Sequence, residues 1–290
     1  MGCYLRPREL DEAVAALADG GYTVLAGGTD FYPARAARGA APAEDRVLDI
    51  TALHGLRGIT EEDDAFRIGA LTTWSDVLRA PLPPTFDALK LAAREVGGVQ
   101  IQNAGTLCGN LCNASPAADG VPPLLALETE VELTAQDGRR HLALDDFILG
   151  NRQTARRPDE LVTALCIPKF EPPRSAGRAR STFLKLGARK YLVISIAMAA
   201  LLVDLDAEGT VAKARVAVGS CSVRAQRLPA VEAALTGRPF DPDLLPCIGE
   251  EQFDSLSPID DIRGTAAYRR EAAVTLVRRC LESLLQQEAA

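Results

Sequence analysis

The chain has little of what hydrolytic and metal-centred sites are built from. There are two histidines in 290 residues, His54 and His141, and neither has a partner at a metal-ligand or triad spacing. A zinc hydrolase or a Ser-His-Asp enzyme is therefore not expected. The seven cysteines, at 3, 108, 112, 166, 221, 247 and 280, are odd in number and include no CxxC pair. They read as reduced thiols, and Cys108-x3-Cys112 lacks the two further thiolates of an iron–sulfur cluster. No metal ligand set and no catalytic constellation is expected. Long apolar runs are also missing: the longest, Leu192 to Val203, stops at Asp204, short of the ~20 residues that span a bilayer. MGCYLRPREL contains no apolar h-region, and Arg6 stands where a myristoylation pattern takes Ser or Thr. The expectation is a cytoplasmic protein without a membrane span. Nor is there a basic excess, since 32 Lys+Arg against 39 Asp+Glu give a net charge of −7. That balance offers nucleic acid and anionic membranes no electrostatic attraction. A small ligand or another protein is the expected partner.

What is present is ordinary globular material, 47% apolar and 24% charged. At roughly 150 residues per domain the length suggests two lobes. Leu10 to Leu17 has helical apolar spacing and stops at Gly20-Gly21, Tyr22 to Ala26 reads as a short buried strand, and Phe31 to Gly39 as a helix. Strands are expected at Arg46 to Ile50 and Phe66 to Ala70, and helices at Thr73 to Arg79, Phe86 to Val96 and Pro123 to Leu127. Thr129 to Leu133 and Arg140 to Leu144 read as a hairpin around Asp137-Gly138. The Pro/Gly/Ser/Arg-rich stretch from 172 to 177 marks a lobe boundary, giving lobes 1–172 and 173–290. Beyond it, Thr182 to Leu186, Leu192 to Leu205 and Val211 to Gly219 read as antiparallel strands, and Val231 to Leu235 and Thr265 to Leu285 as helices.

Two segments stand out chemically. Gly27-Gly28-Thr29-Asp30 follows a strand and precedes a helix, an arrangement that presents backbone N–H groups to an anion. About 75 positions later, Asn103 to Gly120 combines glycine, amides and hydroxyls with almost no charge, and reads as a second loop. Neither carries a Walker A lysine or the GxGxxG spacing of a Rossmann fingerprint. As a pair, they are suited to cradle a pyrophosphate from two sides.

AGGTD at 26–30 and NAGTLCGNLCNASPAADGVPPLLAL at 103–127 resemble the flavin-binding medium subunit of the molybdenum hydroxylases, the xanthine dehydrogenase and carbon monoxide dehydrogenase type. The likeness continues through FILGNRQTARRPDELVTALCIP, FLKLGARKYLVISIAMAAL and DDIRGTAAYRREAAVTLVRRCL, in order along nearly the whole chain. The resemblance implies an α+β fold: an FAD-binding domain of the p-cresol methylhydroxylase and vanillyl-alcohol oxidase type, then a C-terminal lobe of a three-stranded antiparallel sheet with helices. It implies FAD as cofactor, bracketed by Leu25, Ala26, Gly27, Gly28, Thr29, Asp30 and Phe31 on one side. Gly105, Thr106, Cys108, Gly109 and Asn110 would bracket it on the other, with Ile101 on the isoalloxazine. Asn113, Ala118 and Asp119 match flavin-contacting positions, and Val162 and Lys185 positions near the ring. The implied partners are a molybdopterin-binding large subunit, an iron–sulfur small subunit and a terminal electron acceptor. Three departures from the family pattern stand out. Cys108 replaces a glycine, Gln102 an arginine, and Val193 with Ser195 alter an Asp-Ile-Ala run. The residues leave two other classes open, a free-standing flavin oxidase and a phosphate-binding regulatory module.

Overall fold

A computed structural model describes residues 3–38, 45–169 and 179–289; the expected lobe boundary at 172/173 lies outside them. The chain opens with three short parallel strands, β1 (Cys3–Leu5), β2 (Tyr22–Leu25) and β3 (Arg46–Asp49), ordered β1-β3-β2. Helix α1 (Leu10–Ala18) links β1 to β2 and buries Ala13, Val14, Ala16 and Leu17. Helix α2 (Phe31–Arg38) follows the first glycine turn. Next come β4 (Ile59–Glu61), β5 (Ala65–Gly69), β6 (Glu130–Ala135), β7 (Gly138–Ala143), a two-strand ribbon of β8 (Ile148–Gly150) and β9 (Gln153–Thr154), and β10 (Leu161–Pro168). Five of these form an antiparallel sheet in the order β4-β5-β10-β6-β7. The hairpin around Asp137-Gly138 is the β6–β7 turn, with Ala135 paired to Gly138.

Helices α3 (Trp74–Arg79), α4 (Asp87–Glu95), α5 (Val99–Ala104), α6 (Leu107–Asn113), α7 (Val121–Ala126) and the one-turn α8 (Leu144–Phe147) complete this lobe. Thr73 starts α3 with a reciprocal capping box to Asp76. The segment from Asn103 to Gly120, expected to be a loop, is helical over its first half, to Asn113. Gly105 and Thr106 interrupt it, and Thr106 Oγ1 accepts from the Gly109 N–H at 3.0 Å to start α6. Its small residues permit close packing and one side-chain cap is enough to begin a turn.

The C-terminal lobe carries β11 (Arg180–Leu186), β12 (Ala197–Leu205), β13 (Val211–Gly219) and the two-residue β14 (Gln226–Arg227), an antiparallel sheet of four rather than the three strands expected. The fourth, Gln226–Arg227, pairs with only two residues of β13, too short to show an alternating pattern. β12 starts at Ala197 and not at Leu192. Leu192 has φ +52, and the Arg189 Nε donates to its carbonyl at 3.1 Å, so a turn occupies the stretch expected to be strand. Helices α9 (Pro229–Leu235) and α10 (Ala266–Ala289) cover one face of this sheet. β12 alternates between two cores: Met198, Ala200 and Leu202 join the first lobe's cluster, while Ala197, Ala199, Leu201, Val203 and Leu205 join the cluster under α9 and α10. A strand buried on both faces reads as a continuous apolar run. Among the described residues no helix is long and apolar enough to cross a membrane.

Candidate functional site

An open cleft of about 1040 Å³ runs through the N-terminal lobe, roomy even by the standard of cofactor sites. Its floor is made where the two glycine segments meet. A Cβ on Gly27 would lie 2.0 Å from the Ala104 carbonyl oxygen and 2.9 Å from Gly105 Cα, so only glycine lets these backbones touch. Gly28 sits at φ +74, in the left-handed region that turns the chain from β2 toward α2. On the other side the Trp74 N–H donates to the Gly105 carbonyl at 3.2 Å and the Leu107 N–H to that of Thr72 at 3.1 Å. Trp74, only 2% exposed, packs between Gly105 and Gly120.

Several polar groups of the cleft are not used by the fold. Among the described residues, no hydrogen bond takes up the backbone N–H groups of Gly28, Thr29, Asp30 and Phe31, or those of Thr106 and Cys108. Asn110 Oδ1 is buried without a hydrogen-bond partner. Two arginines also line the cleft. The Arg152 guanidinium donates to Asn113 Oδ1, and Arg156 Nη1 donates to the Glu160 carbonyl at 2.6 Å. Neither forms an ion pair with a carboxylate among the described residues, whereas Arg35, also in the lining, pairs with Asp45 at 2.6 Å and stacks on Phe31. Unspent N–H donors, an orphaned carbonyl and two uncompensated guanidiniums suit an extended anionic ligand bearing hydroxyls.

Of the residues expected at this site, Ala26 to Phe31, Ile101, Gly105, Thr106, Cys108, Gly109, Asn110, Asn113 and Val162 line the cleft. Leu25 is buried behind the turn, and Ala118 is buried in the first core. Asp119 and Lys185 do not line it either. They form a buried ion pair of 2.7 Å across the two lobes, to which Ser195 Oγ adds a hydrogen bond of 2.6 Å on the other carboxylate oxygen. Burial raises the Asp119 carboxyl, partly opposed by Lys185 and Ser195. Lys185 Nζ also reaches the Glu95 carbonyl at 3.4 Å, next to Val96 in the cleft wall. Sequence reasoning missed Trp74, Arg152 and Arg156. The arginines lay inside a segment noticed for its family likeness, but nothing local marked them as cleft residues.

The cysteines of the cleft are quiet. Burial pushes the Cys108 thiol well up, and desolvation pushes that of Cys112 up to about 11, although Cys112 keeps surface open to the cleft. Both thiols are protonated at neutral pH and poor nucleophiles.

Comparison with known proteins agrees with this geometry. Residues 1–170 match the family described as "FAD binding domain in molybdopterin dehydrogenase", and residues 182–284 the "CO dehydrogenase flavoprotein C-terminal domain". The chain is 30% identical over 280 residues to the nicotine 6-hydroxylase medium subunit of Paenarthrobacter nicotinovorans, covering 96% of this chain and 95% of that one. It is 32% identical over 288 residues to the carbon monoxide dehydrogenase medium chain of Afipia carboxidovorans, with 96% and 95% covered. Among solved structures, a chain of the carbon monoxide dehydrogenase from Hydrogenophaga pseudoflava superposes with a TM-score of 0.85 at 30% identity, over 97% of this chain and 96% of its own.

Proposed function

Because this chain belongs to the family of FAD-binding domains of molybdopterin dehydrogenases, we propose that its cleft holds FAD and that the protein is the flavin subunit of a heteromeric molybdenum hydroxylase. The observation that carries the reading is the contact of Gly27 with Ala104 and Gly105, which joins the glycine turn and the broken helix, each with free N–H groups, into one floor. On this reading the cofactor's pyrophosphate lies over residues 27 to 31 and 105 to 110. The free N–H groups of Gly28 to Phe31, Thr106 and Cys108 then donate to it, and Cys108 contributes its backbone rather than its thiol. Arg152 and Arg156 add the positive charge that two phosphates call for. Asn110 lines the cleft and can offer its side-chain amide to a cofactor hydroxyl. Ile101, 39% exposed at the cleft, supplies an apolar surface for the ring, with Val162 as the opposing wall. The Asp119–Lys185–Ser195 cluster stands behind Val96 and fixes the second lobe against the ring end. Bound FAD would supply exchange of either one or two electrons, and the chain supplies position and field.

The N-terminal lobe is taken as the p-cresol methylhydroxylase type, with the division near 172/173. The names of the relatives, medium subunits and medium chains, support an assembly with a larger and a smaller partner chain; on our reading these are a molybdopterin-binding and an iron–sulfur subunit, and the assembly is cytoplasmic. Substrate oxidation then belongs to the large subunit, and this chain passes electrons onward to a small-molecule or protein acceptor. The same names favour this over a free-standing flavin oxidase.

The test begins with acid precipitation of the purified yellow protein. All flavin should leave with the supernatant, because no cleft thiol is poised to hold it covalently. Colour retained in the pellet contradicts the proposed mode of binding. Mixed with molybdenum and iron–sulfur partners, the chain should restore substrate-dependent acceptor reduction that neither side performs alone. Full turnover of an aldehyde or N-heterocycle by this chain by itself overturns the subunit reading.

A further inference from the structure

A second cluster of chemistry-bearing residues lies on the five-stranded sheet, away from the cleft. In the β6–β7 pairing His141 stands directly opposite Glu132, and in the β6–β10 pairing Cys166 stands opposite Glu130. Directly paired residues point to the same face, as do residues two apart on one strand, so all four side chains share a face. A carboxylate oxygen of Glu132, a ring nitrogen of His141 and the Cys166 sulfur lie within 4.8 Å of one another. We propose that Glu132, His141 and Cys166 form a binding site for a divalent metal of borderline softness, with zinc the best match to a carboxylate, imidazole and thiolate set.

The surroundings are arranged as supports of such a site. Glu132 Oε1 accepts hydrogen bonds from Arg67 Nη2 at 2.7 Å and Thr163 Oγ1 at 2.5 Å. These leave Oε2 as the oxygen facing His141 Nε2, at 4.0 Å. On the far side of the ring, His141 Nδ1 lies 3.5 Å from Glu130 Oε2. A ligating imidazole held from behind by a carboxylate, and a ligating carboxylate held by outer donors, are the usual outer-shell devices of metal sites. Burial raises the Glu132 carboxyl, but Arg67 and Thr163 outweigh it and hold it below the usual range, so it is ionised at neutral pH. Cys166 is the opposite case: burial and the nearby carboxylates push its thiol up to about 11. It therefore binds by exchanging its proton, which leaves to solvent as the sulfur–metal bond forms.

Charge closes on this arrangement. Glu62, Glu130, Glu132 and the Cys166 thiolate bring four negative charges, and Arg67, Arg139 and a divalent ion bring four positive. His141 is half-exposed, which opens a path to solvent and leaves the fourth tetrahedral position to water. The site is four strand residues from Val162 along β10, roughly 13 Å at the rise of a strand, so its task is to tie β7, β6 and β10 together and not to touch the ligand of the cleft. No sequence motif marks it, because its ligands come from three strands.

The test uses the full chain, stripped with a chelator and dialysed against Zn²⁺, with far-UV circular dichroism as the check on folding. We expect one equivalent of zinc. Cys166→Ser and His141→Ala should each weaken binding by about 10-fold or more, and Glu130→Gln, which keeps every ligand, by about 10-fold. Co²⁺ in place of zinc should give tetrahedral ligand-field bands and a sulfur-to-cobalt band, the latter lost in Cys166→Ser. Zinc bound with equal affinity by folded Cys166→Ser and His141→Ala proteins overturns the proposal. So does a Co²⁺ spectrum with no sulfur band.

Discussion

The two glycine segments of the cleft look alike in sequence and are built by different physics. The first, Gly27 to Asp30, is a true turn: Gly28 takes a left-handed φ of +74 and α2 begins only at Phe31. The second is a broken helix, α5 and α6 separated by Gly105 and Thr106, with every non-glycine residue from 99 to 113 at negative φ. Backbone freedom shapes the first, whereas a side-chain cap and the packing of Trp74 shape the second. Similar composition therefore does not imply similar sensitivity to substitution.

The largest effect should come where the two segments touch. Gly27→Val places atoms inside the Ala104 carbonyl, and we expect complete loss of bound flavin, read as absorbance per chain after gel filtration, with the rest of the fold retained by circular dichroism. Flavin at wild-type occupancy would mean the two segments do not have to meet. Next is the cap: Thr106→Ala removes the acceptor for the Gly109 N–H and should cost about 1 kcal/mol of stability. Flavin affinity should fall by up to about tenfold, with Thr106→Ser restoring both; an unchanged melting temperature and flavin Kd would show that packing alone holds α6. The smallest effect should come from Cys108→Gly. The change costs helix propensity and the packing of a buried side chain but keeps the backbone N–H that faces the cofactor, so flavin titration should give a Kd within a few-fold of wild type. A large loss would mean the thiol itself takes part.

That contrast also marks how far the sequence could be read. Strand–glycine–helix at 22–38 was legible because each piece has its own signal: a β-branched run, a Gly-Gly pair, then helical spacing. The helices from 99 to 113 were not, since Asn, Gly, Thr and Cys are weak helix formers and their order here depends on contacts with Trp74 and Gly27 that are distant in sequence. Strand β10, Leu161–Pro168, went unread for a related reason. It is central in its sheet and buried along most of its length, so it has no alternation to distinguish it from a buried helical turn. The cleft's glycines were legible from their composition and their place between strand and helix, and it was the pair of segments that carried the family likeness. Arg152 and Arg156 could be found only in three dimensions, because one sits in the turn between β8 and β9 and the other just after β9, and nothing local ties either to the cleft.

The way β12 serves two cores has a consequence for how the chain is made. Phe183, Met198, Ala200, Leu202 and Ala217 belong to the core of the N-terminal lobe, although they lie beyond it in sequence. During synthesis, the first 169 residues emerge with that side of their core uncovered, and more than three-quarters of the chain must leave the ribosome before Ala225, the last member of that core, arrives to close it. Contacts of such sequence separation are slow to form, and apolar surface left open meanwhile invites association with other chains. The nascent flavin lobe thus spends its time on the ribosome as a sticky intermediate, and its maturation is timed by the translation of the lobe that follows it.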